Sequence, residues 1–237
     1  MKEAERTVNL PARKPDGSAP ILSFEKFYAK QDVPCWIVFD IETYCTAAPE
    51  DGDILASNAR VASFAYAAFG LDGVFEVPAR HRYRVFYDRG DDDNEVDCVT
   101  QGIKSLMELV KSVKDAQKHP DPKLTASEEE QFNKASRCYL CRCQSDELVR
   151  DHCHFTGKYR GPCCKRCNAN LKFRDIPCLA HDLGGFDGGA VQRAISRLKN
   201  PDNEEGEQYL KLRYKCINKS GEKLISIDFG QLKFPTR

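Results

Sequence analysis

The chain has 237 residues, of which 41% are hydrophobic and 30% charged, and its formal net charge is zero. This composition indicates a soluble globular protein, and no apolar run approaches the roughly 20 residues that a membrane-spanning helix needs. A neutral chain has no overall attraction for nucleic acid, so a contact with DNA would have to come from a local basic patch.

The first 20 residues lack the apolar stretch of a secretory signal, and we expect a flexible lead-in there. A chain without such a signal is expected in an intracellular, reducing compartment. Twelve cysteines in that setting favour metal binding over disulfide bonds.

The first predicted element is a strand at 35–39, whose continuous apolar run is typical of a central strand covered on both faces. It is followed by Asp40 and Glu42. Residues i and i+2 of a strand point to the same side, so these two carboxylates could bind divalent metal ions. Acidic residues also end many ordinary strands, and the pair alone does not decide between the two interpretations.

Two further strands, at 60–69 and 73–77, are predicted to form a meander with the first, and 83–87 could extend it. The acidic run 88–95 indicates a solvated loop, because neighbouring like charges repel. Apolar residues then recur at helical spacing, which predicts an amphipathic helix over 95–118.

A short acidic helix at 128–134, capped by Thr125 or Ser127, is predicted to lead into a cysteine-rich segment. That segment contains two C-x2-C pairs, and four thiolates spaced in this way can surround zinc with Zn–S bonds of about 2.3 Å. The alternatives are reduced structural cysteines or a disulfide clip. Three further cysteines, Cys143, Cys153 and Cys163, could replace one ligand. The predicted ligands of a structural Zn²⁺ are Cys138, Cys141, Cys164 and Cys167.

A carboxylate, an imidazole and an amide lie close to these cysteines in the sequence. Asp151 and His152 stand between the two pairs, and Asn168 follows the second pair. A hard divalent ion prefers oxygen ligands such as those of Asp151 and Asn168, while a neutral His152 could take a proton from an attacking water. The combination indicates nuclease chemistry.

The pattern C-x2-C … D-H-x-H … R-G-x2-C-x2-C-N resembles the His-Me finger (HNH) nucleases, specifically the recombination endonuclease VII branch. The resemblance implies zinc on the four cysteines and a catalytic Mg²⁺ or Mn²⁺ held by Asp151 and Asn168. It also implies His152 as the general base and His154 as a secondary active-site histidine. A zinc-stabilised DNA-binding segment without cleavage remains the alternative, with phosphate contacts from the local basic patch: Arg150, Lys158, Arg160, Lys165, Arg166, Lys172 and Arg174.

After the cysteines, a short strand at 176–180 and a helix at 189–199 are predicted, with Phe186 and Asp187 at their junction. An aromatic-Asp pair at such a junction resembles the second acidic motif of the DnaQ-like 3′–5′ exonucleases. By that resemblance Asp40, Glu42 and Asp187 are three of the four catalytic metal-binding carboxylates, and we expect them to converge.

The order of these motifs resembles the exonuclease region of protein-primed family B DNA polymerases of Polinton/Maverick-type elements and related viruses. It implies an α/β fold, a ribonuclease H-like mixed sheet carrying an inserted zinc-bound ββα finger. The expected divisions are 1–20 as lead-in, 21–135 with 175–237 as the exonuclease region, and 136–174 as the finger. Expected partners are DNA, either a single-stranded 3′ end or a branched duplex, and the remainder of a polymerase chain, with no membrane. A nuclear or mobile-element replication site would fit.

Some features depart from that pattern. Asp182 replaces the asparagine that usually opens the second motif, and the third exonuclease motif and the polymerase domain are missing, so we expect a truncated relative. Asp228, on a predicted β-hairpin over 223–234, is expected to be an exposed edge residue rather than a replacement carboxylate.

Two activities therefore follow from the sequence. The main prediction is metal-dependent phosphodiester hydrolysis by a polymerase-type 3′–5′ exonuclease region; the alternatives are a His-Me finger endonuclease or a non-catalytic fragment. Because two-metal hydrolysis would lack one carboxylate, the finger is expected to hold the activity that survives.

Overall fold

The computed structural model describes residues 33–46, 58–88, 97–117, 121–171, 175–201, 207–218 and 224–236. The predicted lead-in 1–20 and most of the acidic run 88–95 lie outside these ranges. The described elements are β1 Cys35–Thr46, β2 Asn58–Gly70, α1 Ala79–Arg82, β3 Tyr83–Tyr87, α2 Cys98–Ala116, α3 Ala126–Lys134, β4 Leu148–His152, β5 Tyr159–Cys164, α4 Lys165–Asn170, β6 Ile176–Leu179, α5 Phe186–Leu198, α6 Glu207–Leu210, β7 Tyr214–Asn218, β8 Leu224–Phe229 and β9 Leu232–Pro235.

Seven strands form one mixed sheet in the order β3-β2-β1-β6-β9-β8-β7. The first three strands are an antiparallel meander, but its third strand is β3 and not the predicted 73–77. β6 pairs parallel to β1, with Ile37 opposite Cys178, and β9 pairs parallel to β6. β6 ends at Leu179, which lies opposite Val38, so Asp40 of β1 lies just beyond the end of β6.

The hydrophobic core lies on one face of this sheet, under α2 and α5. Cys35, Ile37 and Phe39 of β1 point into it and are at most 2% exposed, whereas Trp36 and Val38 between them are 37% and 45% exposed. The prediction that this strand is covered on both faces is wrong. Its even-numbered residues lie on a face that no described helix covers, where Trp36 stacks on Phe69 of the neighbouring strand.

The predicted strand at 73–77 is also wrong. The chain turns at Leu71, whose carbonyl accepts hydrogen bonds from the backbone N–H groups of Val74 and Phe75. It then passes directly over Gly70, where an added Cβ would lie 2.0 Å from the Phe75 carbonyl oxygen. Phe75 and Val77 are buried, but they belong to this loop and not to a strand. The third strand of the meander is β3.

The cysteine-rich segment forms a second, two-stranded sheet of β4 and β5, followed by α4. We call this ββα unit the finger. The helix that precedes it, α3, begins with a capping box in which Thr125 and Glu128 bond each other's backbone N–H groups, as the sequence predicts for Thr125. Arg150 of β4 pairs with Glu129 of α3 and lies over the Phe132 ring. α3 therefore packs against the finger.

Asp228 is not the exposed edge residue that the sequence suggested. Its strand, β8, lies between β7 and β9, and β7 was not predicted. Asp228 is only 8% exposed and accepts a 2.9 Å hydrogen bond from Arg213. The predicted hairpin itself is present as β8 and β9. No helix in the described part of the chain is long and apolar enough to cross a membrane.

Candidate functional site

Four cysteines of the finger form a possible metal site. The Sγ atoms of Cys138, Cys141, Cys164 and Cys167 lie within 4.8 Å of one another. A tetrahedron with Zn–S bonds of 2.3 Å has edges of about 3.8 Å, and the Cys141 and Cys164 sulfurs are 4.0 Å apart. The donor set and its spacing therefore fit a zinc ion. The described cysteines are all free of disulfides.

Backbone groups around these sulfurs favour the thiolate form at one position. Burial raises the pKa of Cys138, but backbone hydrogen bonds from Cys164, Cys141 and Leu140 outweigh it, and the pKa is about 6. The buried Cys163 lies 4.0 Å from Cys138, sulfur to sulfur, yet is not one of the four. Burial and the charge of Cys138 raise the pKa of Cys163, which keeps it a neutral thiol.

Asp151 is held in β4 by two partners that the sequence did not reveal. Its side chain is 2% exposed, and Arg160 of β5 pairs with both of its oxygens, at 3.0 Å each. The Tyr139 hydroxyl donates to the same carboxylate at 2.6 Å. Burial and this bond raise the pKa of Tyr139. The carboxylate has the oxygen chemistry for Mg²⁺, but it is fully engaged in this arrangement.

Gly161 makes the contact with Tyr139 possible. It has φ +150°, a value that favours glycine, and an added Cβ would lie 2.9 Å from the Tyr139 ring. Gly161 faces Asp151 across the β4–β5 ladder. Two adjacent residues therefore support the contacts of Asp151. Arg160 binds its carboxylate, and Gly161 leaves room for the Tyr139 ring.

His152 and His154 follow Asp151 at the end of β4, with ring centroids 5.3 Å apart. Nδ1 of His152 lies 3.2 Å from the Arg150 carbonyl oxygen, which can only accept. A neutral His152 therefore carries its proton on Nδ1 and keeps a lone pair on Nε2. The backbone carbonyl of His152 accepts a further bond from Arg160 at 2.6 Å. The imidazole is thus oriented to take a proton through Nε2.

Asn168 lies on α4, which packs against both strands of the finger, and it is exposed. Its backbone carbonyl and that of Cys167 accept bonds from the Leu171 N–H, where the helix ends. An amide oxygen is a suitable ligand for a hard cation.

A second acidic group lies at the edge of the main sheet where β6 ends beside β1. Asp187, in the first turn of α5, is 6% exposed. Burial, the Asp40 charge and the Asp182 charge together raise its pKa to about 6. Asp40 is therefore close enough to Asp187 to repel its charge. Glu42 lies two residues further along the same exposed row of β1.

The basic patch is partly neutralised. Arg150 pairs with Glu129, Arg160 with Asp151, and Lys165 with Glu147. Lys158 and Arg166 are exposed. Lys172 and Arg174 lie outside the described residues.

The finger and its flanks match a family model. Residues 115–182 match the family described as Recombination endonuclease VII. The matched range extends beyond the predicted finger, 136–174, on both sides and includes α3 and β6. No curated protein and no solved structure matches the chain. The segment is therefore similar to endonuclease VII-like domains, while a polymerase exonuclease origin finds no support in these comparisons.

Proposed function

We propose that this chain is a metal-dependent nuclease that acts on DNA and that the finger is its catalytic unit. The observation that carries the proposal is the position of Asp151 and His152 at the end of β4, with His154 in the turn that follows, within a segment that matches an endonuclease family. The same segment brings four cysteine sulfurs together, so a zinc ion would tie the turn of Cys138 and Cys141 to the end of β5 and to α4.

In the proposed reaction His152 acts as the general base. Its Nδ1–H donates to the Arg150 carbonyl, which leaves the Nε2 lone pair available to remove a proton from water as it attacks phosphorus. The same hydrogen bond would stabilise the imidazolium that results, because it orients the ring and keeps Nδ1 paired. His154, 5.3 Å away between ring centroids, would help position the phosphate.

Asp151 and Asn168 are the residues that would hold a catalytic Mg²⁺ or Mn²⁺, which when bound would neutralise charge on the phosphate and the leaving oxygen. Asn168 is exposed, but Asp151 is paired with Arg160 and Tyr139. Binding an ion at Asp151 would therefore require at least part of the Arg160 fork to move. Arg160 would then be available for the DNA backbone.

DNA is the proposed substrate because the matched family is described as a recombination endonuclease and because Lys158 and Arg166 are exposed on the finger. A branched duplex is the form that this description favours. We propose a reducing, intracellular compartment, in which the cysteines would stay available for zinc.

A second candidate activity is supported by the acidic group at the sheet edge. The meander β3-β2-β1, with β6 parallel to β1 and β9 parallel to β6, is the arrangement expected of a ribonuclease H-like sheet. Burial raises the pKa of Asp187, and the charge of Asp40 raises it further, as expected where a cation would offset two neighbouring carboxylates. We propose Asp40, Glu42 and Asp187 as the ligands of a DnaQ-like 3′–5′ exonuclease site, as in family B polymerases.

A product analysis tests the proposal. Zinc-loaded protein is incubated with end-labelled branched, single-stranded and 3′-recessed DNA in Mg²⁺ or Mn²⁺. Internal cuts near the branch are the expected result, whereas a ladder that shortens from the 3′ end would favour the second candidate. No cleavage of any substrate under either metal would overturn both activities and leave a DNA-binding role.

A further inference from the structure

A cavity of about 560 Å³ opens where the finger meets the loops of the main sheet. One wall belongs to the finger and includes His154, Phe155 and Lys158. The other belongs to the body of the protein and includes Asp72, Val74 and Gln117. None of the residues proposed above for catalysis, apart from His154, lines it.

The two walls are held in place before any ligand arrives. Phe155 packs against Phe75 of the body with ring centroids 6.2 Å apart, and it contacts the main hydrophobic core. The loop that carries it is tied down by a 3.0 Å hydrogen bond from the Lys123 N–H to the Gly157 carbonyl. The body wall is a hydrogen-bonded turn closed by Leu71. A pre-formed cavity of this size is typical of a small-ligand site.

The two walls of the cavity carry different chemical groups. The finger wall offers the exposed ammonium group of Lys158 and the imidazole of His154, both suited to an anion. Phe155 and Val74 supply apolar surface. Asp72 and Gln117 on the body wall supply acceptors and a donor for the polar edge of a ligand. An apolar ligand would leave these polar groups unpaired, which costs free energy.

We infer that this cavity binds one nucleotide of the DNA, with its phosphate toward Lys158 and its base between Phe155, Val74 and the polar groups of the body. The inference rests on the proposed nuclease function and deepens it. His154 lines the cavity and its ring is 5.3 Å from that of His152, so the bound nucleotide would adjoin the phosphate that is cut. The body of the protein would thereby contribute directly to substrate recognition by the finger.

Nucleotide binding measured under conditions that prevent cleavage tests this inference. Zinc-loaded full-length protein in Mg²⁺-free buffer is titrated calorimetrically with deoxynucleoside monophosphates and with a short single-stranded oligonucleotide. We expect both to bind, with Lys158→Ala weakening each by roughly tenfold, the usual loss for a charged hydrogen bond. Lys123→Ala is the matched control. Lys123 is exposed and is paired with Lys158 through an isolated backbone β-bridge, but it does not line the cavity. Its effect should be less than about twofold.

Asp72→Ala provides a second variant on the opposite wall. Asp72 is exposed, so folding should be unaffected, and the variant should bind the four monophosphates with more equal affinities than the wild type does. Equal losses of affinity in Lys158→Ala and Lys123→Ala, or no monophosphate binding, would overturn the proposal that the cavity binds a nucleotide. Monophosphate binding that the oligonucleotide fails to compete would overturn the assignment to DNA.

The two proposals fail in distinguishable ways. If the protein cuts DNA but the two lysine variants bind nucleotides alike, the nucleotide-binding proposal is wrong and the nuclease proposal is retained. If nucleotide binding depends on Lys158 but DNA is never cut, the cavity stands as a nucleotide site and the nuclease is wrong.

Discussion

At the scale of single residues, Asp151 is a buried charged group of the finger. A carboxylate that is 2% exposed must be paired if it is ionised, and here Arg160 and Tyr139 supply that pairing. The same position is the proposed ligand of a divalent ion. The guanidinium of Arg160 and an ion would therefore compete for one carboxylate.

Removing Arg160 should reveal this competition. We expect Arg160→Met to lower the free energy of unfolding by about 3 kcal/mol, because it leaves the buried Asp151 charge unpaired. Added Mg²⁺ or Mn²⁺ should restore part of that loss by taking the place of the guanidinium. Chemical denaturation with and without the ion measures both effects.

Arg166→Met is the control, since Arg166 is exposed and its loss should change stability by less than about 0.5 kcal/mol. A loss at Arg160 that no divalent ion restores would argue against Asp151 as a metal ligand.

Asp187 gives a prediction that depends on pH. Its folded-state pKa is raised from 3.8 to about 6, so its contribution to stability is fully present below the unfolded value and is lost as pH rises through about 6. Asp187→Asn should therefore stabilise the protein by about 1–3 kcal/mol at about pH 8 relative to its effect at about pH 4. Urea unfolding at the two pH values measures it.

Asp121→Asn serves as the control for Asp187→Asn because Asp121 is exposed. An equal gain at both pH values would show that charge repulsion at the sheet edge is not the cause. If saturating Mg²⁺ removes the difference between the effects at the two pH values, the result would support a cation site at Asp40 and Asp187.

The sequence could single out candidate residues of the finger because ligand spacing and motif order are local properties. Asp151, His152 and the four cysteines were predicted in this way, and the structure brings the four cysteine sulfurs together. The partners of Asp151 could not, because spacing does not tell which side of a strand faces a tyrosine 12 residues away. Arg160 was recognised only as a basic residue for phosphate contacts.

At the scale of elements, the finger is a small unit whose described core includes only the cysteines and a few aromatic contacts. Such a unit cannot bury enough apolar surface to fold well without its metal. Its attachment to the body through Phe155 also means that loss of the finger would affect the surface beneath it.

The zinc prediction follows at this scale. Metal analysis of protein purified without chelator should give about one zinc per chain, and Cys141→Ser should lower this value strongly. Cys143→Ser is the matched control, because Cys143 is exposed, is in the same segment and is not one of the four clustered cysteines. Equal zinc content in the two variants would contradict the assigned ligand set.

Helix packing offers another test. An added Cβ at Gly102 of α2 would lie 2.2 Å from the Phe64 ring, so Gly102→Ala should destabilise the protein by about 1–3 kcal/mol. Gly189 in α5 has only the end of Arg193 nearby, at 3.5 Å, and Gly189→Ala should stabilise by up to about 1 kcal/mol through helix propensity. Thermal unfolding distinguishes them, and effects of the same sign would show that α2 does not pack this closely.

At the scale of the whole molecule, the meander, both long helices and the terminal hairpin could be predicted because each has a clear hydrophobic period. The errors came from tertiary context. The run at 73–77 is apolar because a loop is buried, and Trp36 and Val38 of β1 are apolar although they are exposed. Strand β7 was missed because its residues are largely exposed and show no clear alternation.

The fold brings two candidate catalytic groups into one chain. The finger carries the histidine pair, and the edge of the main sheet carries the acidic group, with a nucleotide-sized cavity on the body side of the finger. The central claim is that cleavage belongs to the finger.

Cleavage of branched DNA in Mg²⁺ by the wild type, His152→Ala and Asp40→Ala tests that claim most directly. We expect His152→Ala to lose roughly 10²–10⁴-fold in rate, the usual contribution of a general base, and Asp40→Ala to retain nearly full activity. His181→Ala, an exposed histidine outside the finger, controls for the loss of an imidazole. Activity that survives His152→Ala but disappears with Asp40→Ala would contradict the claim and place catalysis at the sheet edge.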